Sequence, residues 1–288
     1  MRLIFVLLFL LTAPLFAQEE QEFIGVLRLN DSTIIPYEVN FKIDAGILEG
    51  YSLTDLGGAH ETKSKLKGRY NPFEKEITFS EYDIIYTKSD VSQQDFCFVY
   101  FEPTRFKEGR TTNFSGSFKG LFSDGEECIS GEIYLNSAEK IEKRMEKVTR
   151  LIDRSNKIPD SLKQKSKEMR FFDPSKNNIL LKSQITSVFT KSNQIVFTIY
   201  DAGKEDGDVI SIDVDHKRFL TKHEVTKKPF QLRIPFLNEK TLIKIVSVST
   251  GSISTNTAVI EVGDGENDFK SVTNLSKGEE TFIQLIRK

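Results

Sequence analysis

From Tyr37 to Ile43 the chain reads YEVNFKI, with an apolar side chain at every second position. A period of two builds a half-buried antiparallel strand; a helix, repeating every 3.6 residues, would scatter the same side chains around its axis. The pattern returns in Phe96-x-Phe98-x-Tyr100 and in Phe114-x-Gly116-x-Phe118. Turn signals at Asn30-Asp31-Ser32, Asp44-Ala45-Gly46, Leu56-Gly57-Gly58, Tyr70-Asn71-Pro72 and Ser123-Asp124-Gly125 punctuate the region. Residues 22–136 therefore read as about eight strands in a meander, closed into a small barrel or folded into a sandwich. Gly25, Gly50, Gly68, Gly116, Gly120 and Gly131 fall inside strand patterns, where glycine marks bends and close backbone approach, and this favours the barrel. The bulk of Phe96, Phe98, Tyr100, Phe114, Phe118 and Phe122 predicts an interior that is filled rather than hollow.

Residues 137–172 break the period. Ile141, Met145, Val148 and Ile152 are spaced by four, three and four, making one apolar stripe on a helix otherwise covered by Lys, Arg and Glu. Ser137 and Lys140 form an incomplete capping box. Ile158-Pro159-Asp160 predicts a break, followed by a shorter, more polar helix. The narrow stripe reads as a charged helical linker resting on one of its own neighbours.

Alternation resumes in residues 178–288. Gln194–Tyr200, Val209–Val214, Phe230–Ile234, Leu242–Ser249, Ala258–Val262 and Phe282–Arg287 read as strands. Roughly seven short strands here suggest an immunoglobulin-like β-sandwich, without the Cys and Trp of antibody domains. The fold class is mostly β.

The opening MRLIFVLLFLLTAPLFAQEE carries Arg2, an apolar run from Leu3 to Leu11 and a small residue at Ala17. A spanning helix needs about 20 apolar residues, so residues 1–17 are expected to be a cleaved export signal, with no transmembrane segment in the mature chain. The address is then periplasmic, outer-surface or extracellular. In such a compartment the two cysteines, Cys97 and Cys128, are expected to form a disulfide, closing a loop of about 30 residues. Loss of Arg2 leaves 39 basic against 42 acidic side chains, so no basic field favours nucleic acid.

The most acidic stretch is YDAGKEDGDVISI, residues 200–212. Asp201, Glu205, Asp206 and Asp208 could supply oxygens to calcium, with Gly207 allowing the sharp turn. The EF-hand spacing is absent, and the same carboxylates could equally cap backbone amides between two strands. Both readings stay open, and Asn256 is expected beside the loop in either. The run resembles the D-x-G-x-x-D-G-D-x-I-S motif of exported Bacteroidetes proteins with a C-terminal β-sandwich-like domain. Those domains also carry a Pro before a strand and a G-x-x-x-P-N-T-A stretch, matched here by Pro229 and by GSISTNTA at 251–258, with Thr255 in place of Pro. The resemblance implies a fold and an exported address, and no activity.

No nucleophile elbow, phosphate loop, dinucleotide fingerprint or HExxH pair occurs. His60, His216 and His223 sit in polar, turn-like contexts. The expectation is a non-catalytic binding or structural protein whose partner is a protein or glycan of the cell envelope. The alternatives are a barrel enclosing a small apolar ligand and a hydrolase with its site in the N-terminal region.

Overall fold

The computed structural model describes residues 20–30, 32–90, 95–155, 158–168, 178–203, 205–236, 238–252 and 255–288. The expected signal, residues 1–17, lies outside them, as do the ends of several predicted turns and of the linker. Eight strands follow in order: β1 (Gln21–Leu29), β2 (Ile34–Asp44), β3 (Ile47–Thr54), β4 (Thr62–Asn71), β5 (Glu76–Thr87), β6 (Phe98–Arg105), β7 (Asn113–Leu121) and β8 (Glu127–Ser137). Each pairs antiparallel with the next, and β8 returns to β1, so the meander closes as a barrel. Closure removes free sheet edges. The β2–β3 hairpin shows why the chain turns where it does: Ala45 and Gly46 both take positive φ, the two-residue turn whose twist matches paired strands.

The barrel interior is packed. Phe23, Tyr37, Phe41, Phe79, Phe101, Phe106, Phe114 and Phe118 are buried there with Val39, Leu48, Leu66, Ile77 and Ile133. Phe23 stacks on Phe41 with ring centroids 5.8 Å apart and meets Phe114 edge-on at 5.0 Å. In-strand glycines let the strongly coiled wall approach itself. A Cβ on Gly25 would overlap the Tyr134 carbonyl, and one on Gly50 the Asn40 carbonyl. The stripe Phe96, Phe98, Tyr100 is displaced by one residue from expectation. In β6 the inward side chains are Val99 and Phe101, Tyr100 is exposed, and Phe96 packs edge-on against Phe189. Phe122 also lies outside the interior cluster.

Ser137 ends β8 and caps α1 (Ala138–Arg154), its side chain accepting the Lys140 amide. The helix α2 (Asp160–Glu168) follows the predicted break. No residue of α1 is fully buried; Ile141, Met145 and Ile152 of the stripe are half-buried and Val148 is exposed, and the helix meets β1 and β8.

Ten strands form the C-terminal region: β9 (Ile179–Leu180), β10 (Ile185–Thr190), β11 (Gln194–Asp201), β12 (Asp208–Val214), β13 (Lys217–Glu224), β14 (Phe230–Pro235), β15 (Lys240–Thr250), β16 (Ala258–Gly263), β17 (Asp268–Thr273) and β18 (Glu280–Arg287). They make two sheets, of order β13-β12-β15-β18-β10 and β14-β11-β16-β17-β9. Their facing side chains, among them Ile195, Phe197, Ile210, Ile212, Ile243, Ile245, Ile260 and Ile283, form one core, so this is a sandwich. The β16–β17 hairpin and the parallel pairing of β10 with β18 elaborate the seven-strand pattern.

Barrel and sandwich share a sheet. The far end of β5, still paired with β4, runs past β6, and on that side Tyr86 and Thr87 pair with Val188 and Ser187 of β10. Leu53, Ile85 and Tyr86 of the barrel join the sandwich core, where the Tyr86 ring meets Phe269 edge-on at 4.9 Å.

Candidate functional site: the cleft between barrel and sandwich

Register decides what the outer wall of the barrel presents. Glu38 of β2 faces Leu53 of β3, Leu53 faces Lys63 of β4, and Lys63 faces Tyr86 of β5. The neighbouring outward row runs from Glu22 through Asn40 to Tyr51. Outward positions of a barrel normally meet water, which is why they are polar. Here the sandwich covers the wall, and Glu38 and Asn40 keep only 5% and 8% of their surface exposed.

Between the two lies a cleft of about 410 Å³, floored by Glu38, Asn40, Tyr51 and Lys63 and roofed by Asn178, Asp268 and Lys270. Glu38 Oε2 and Asn178 Oδ1 are buried there without hydrogen-bond partners. Such atoms are rare in folded proteins, since each forfeits its hydration without replacement. Burial first, then the neighbouring Glu22, pushes the Glu38 carboxyl up to about 7, against the pull of Lys63. Burial also lowers the Lys63 ammonium, which lies 3.8 Å from the centre of the Tyr51 ring. The Tyr51 hydroxyl is raised to about 12 by burial and by Glu38.

A second buried carboxylate lies inside the barrel. Glu81 accepts from the Tyr37 hydroxyl at 3.0 Å, the Ser52 hydroxyl and the Val99 amide at 2.9 Å. Burial raises its pKa. It closes the floor of a shallower depression of about 380 Å³ at the barrel mouth, beside Ser64, His60 and Asp55. Its three donors make it a structural group holding β2, β3, β5 and β6 together, with no orphaned lone pair among its buried atoms.

The acidic stretch of residues 201–208 forms a clipped turn. Asp201 Oδ1 accepts the Gly203 amide at 2.6 Å, Glu205 accepts the Lys227 amide, and Asp208 Oδ2 accepts the Thr257 amide at 2.8 Å. Gly207 takes the positive φ expected of it, and the Asp206 carbonyl accepts the Ser252 amide. Asn256 is fully buried beside the loop, donating to the Ser249 carbonyl. Among the described residues no three His, Cys, Asp or Glu side chains gather as a group that could hold a metal ion. These contacts are those of turn-capping carboxylates, while Asp208 Oδ1 is buried without a hydrogen-bond partner. His223 lies in β13 rather than in a turn, stacked on Phe230 at 4.1 Å.

Cys97 and Cys128 are disulfide-bonded, with Cα atoms 6.1 Å apart. The bond joins the lead into β6 to β8 across the intervening β7, and a side chain on Gly120 of β7 would overlap the Cys97 sulfur and crowd that of Cys128. Among the described residues no helix is long and apolar enough to cross a membrane.

No protein-family model matches the chain, and no curated protein does. Among solved structures, the major pilin protein (T3.2) of Streptococcus pyogenes serotype GAS13637 aligns over 94% of this chain and 90% of its own, at 10% identity and a TM-score of 0.15. A likeness that low carries no inference about fold or function.

The disulfide and the loop residues were legible in sequence; Glu38, Lys63, Asn178 and Asp268 were not. In a strand of alternating pattern a glutamate between two inward apolar residues reads as solvated. Its burial follows from a wall supplied more than 100 residues later.

Proposed function

We propose that this is an exported, non-catalytic binding protein whose ligand sits in the cleft between barrel and sandwich, rather than inside the barrel. The observation that carries the reading is the pair of buried, unpartnered acceptors, Glu38 Oε2 and Asn178 Oδ1, facing one 410 Å³ space. That volume falls within the range of small-molecule sites. The packed aromatic interior leaves the carrier alternative without a chamber. Export is supported by the disulfide, which persists in oxidising compartments, and by the apolar opening segment; the resemblance to exported Bacteroidetes proteins agrees with it. Such a protein serves at the envelope by holding its ligand or presenting it to a partner.

Native mass spectrometry of the chain purified from its host tests the reading. A small polar molecule bound one-to-one and released on denaturation is the expected result. A stoichiometric lipid or pigment would promote the barrel carrier in its place.

A further inference from the structure

We propose that the cleft selects a small organic cation, an ammonium or guanidinium head whose N–H groups bridge Glu38 and Asn178. The inference rests on the cleft being the binding site and adds the chemistry of what fills it.

The two orphaned atoms are both acceptors. Asn178 Oδ1 can only accept, because its amide nitrogen already donates to the Lys270 carbonyl at 3.2 Å. Glu38 Oε2 accepts whenever its carboxyl is ionised. A ligand must therefore bring donors, and at least two of them pointing apart. Charge narrows the class further. Glu20, Glu22, Glu38 and Asp268 line the cleft against Lys63 and Lys270. Lys270 is drawn to the sandwich side, 3.1 Å from Glu261 and 2.8 Å from the Tyr200 hydroxyl. Lys63 lies over the Tyr51 ring. The remaining field is negative, and a cation enters it with Coulomb attraction strengthened by the water-poor walls. A charge-assisted bond to an ionised Glu38 is of the stronger kind.

The same geometry couples binding to protons. A cation at Glu38 requires the carboxylate, so the ligand displaces the proton that burial favours there. The groups facing Glu38 are Glu22 from β1, Tyr51 from β3, Glu61 from the turn before β4 and Lys63 from β4, with Asp268 of β17 acting on Lys63. Of these, Glu38 is the group poised near neutrality, so affinity should rise with pH through about 7.

Isothermal titration of the mature chain with putrescine, agmatine, maltose and succinate, at pH 6 and pH 8, tests this. One or both amines should bind saturably at one site, about tenfold tighter at pH 8 than at pH 6. Glu38→Gln should weaken them at least tenfold at pH 8 and flatten the pH dependence; Asp268→Asn should weaken them less. Saturable maltose or succinate binding, lost in Glu38→Gln with no amine binding, would overturn the cation and leave the cleft standing. Amine binding unchanged in both Glu38→Gln and Asn178→Leu would place the site elsewhere. No saturable binding by any probe, together with a native mass spectrum free of small molecules, would overturn cation and cleft together.

Discussion

The Lys88 ammonium lies 3.1 Å from the Glu61 carboxylate, with the two side chains only 4% and 1% exposed. The same carboxylate accepts the Tyr86 hydroxyl at 2.9 Å and the Gly57 amide at 2.7 Å. This is a buried pair at the seam, since Tyr86 is one of the two β5 residues paired with β10. Removing one partner of a buried pair strands the other charge, at about 3–5 kcal/mol. Lys88→Met should accordingly lower stability to urea by that order. Lys88→Met/Glu61→Gln removes both charges; the new amide oxygen can still accept the Gly57 amide while its NH2 donates to the Tyr86 hydroxyl, and the pair should recover part of the loss.

Glu38 links stability to pH. Its folded pKa, near 7, exceeds the ordinary value of 4.5, so between those values the folded chain holds a proton that the unfolded chain has released. The contribution is complete below about pH 4.5 and is lost as pH rises through 7. The size is about 3 kcal/mol at most. Glu38→Gln should leave stability near pH 4 almost unchanged and raise it by a few kcal/mol at pH 8 (an estimate from the same linkage). Parallel urea titrations of the two proteins at the two pH values would check both the sign and the window.

The disulfide closes a loop across β7, with a sequence separation of 31. Loop-closure entropy puts its contribution at about 3–4 kcal/mol. Unfolding midpoints of Cys97→Ser/Cys128→Ser against the oxidised chain should differ accordingly. Gly120→Val should hinder formation of the bond, leaving thiols that alkylate in the folded protein.

The acidic turn predicts an insensitivity. With Asp201, Glu205 and Asp208 already bonded to backbone amides, thermal melts in millimolar calcium and in chelator should superimpose. Asp208→Ala, which removes the acceptor of the Thr257 amide, should still cost about 0.5–1.5 kcal/mol. A calcium-dependent rise in the melting temperature that vanishes in Asp208→Ala would establish the calcium cradle instead.

Much of the barrel was legible because its inner face is set by local alternation: Tyr37, Val39, Phe41 and Ile43 point inward as the period of two requires. Where both parities are apolar, as in Phe98-Val99-Tyr100-Phe101, alternation cannot choose the inward face. Phe96 and Phe98 share the parity of Tyr100, and all three lie off the interior, while Val99 and Phe101 fill it. In the sandwich, β13 went unread because an edge strand with nearly every residue exposed has no apolar face to announce it. β17, whose DFKSVT carries only Phe269 and Val272 as apolar residues, and the parallel β10, with no hairpin partner nearby, were missed. The cleft was invisible for a different reason. Glu38 and Asn40 are ordinary outward residues locally, and only the long-range seam turns their surface inward.

That seam also bears on inheritance. Because β5 serves as a barrel stave and, at its far end, as a sheet neighbour of β10, neither unit is a free module. A recombination that replaced the sandwich would keep Glu38 and Lys63 but lose Asn178 and Asp268. An insertion of one residue near Tyr86 would turn the wall around. On the proposed reading the two halves of the cleft work only together, and a chain retaining one half alone should lose the ligand.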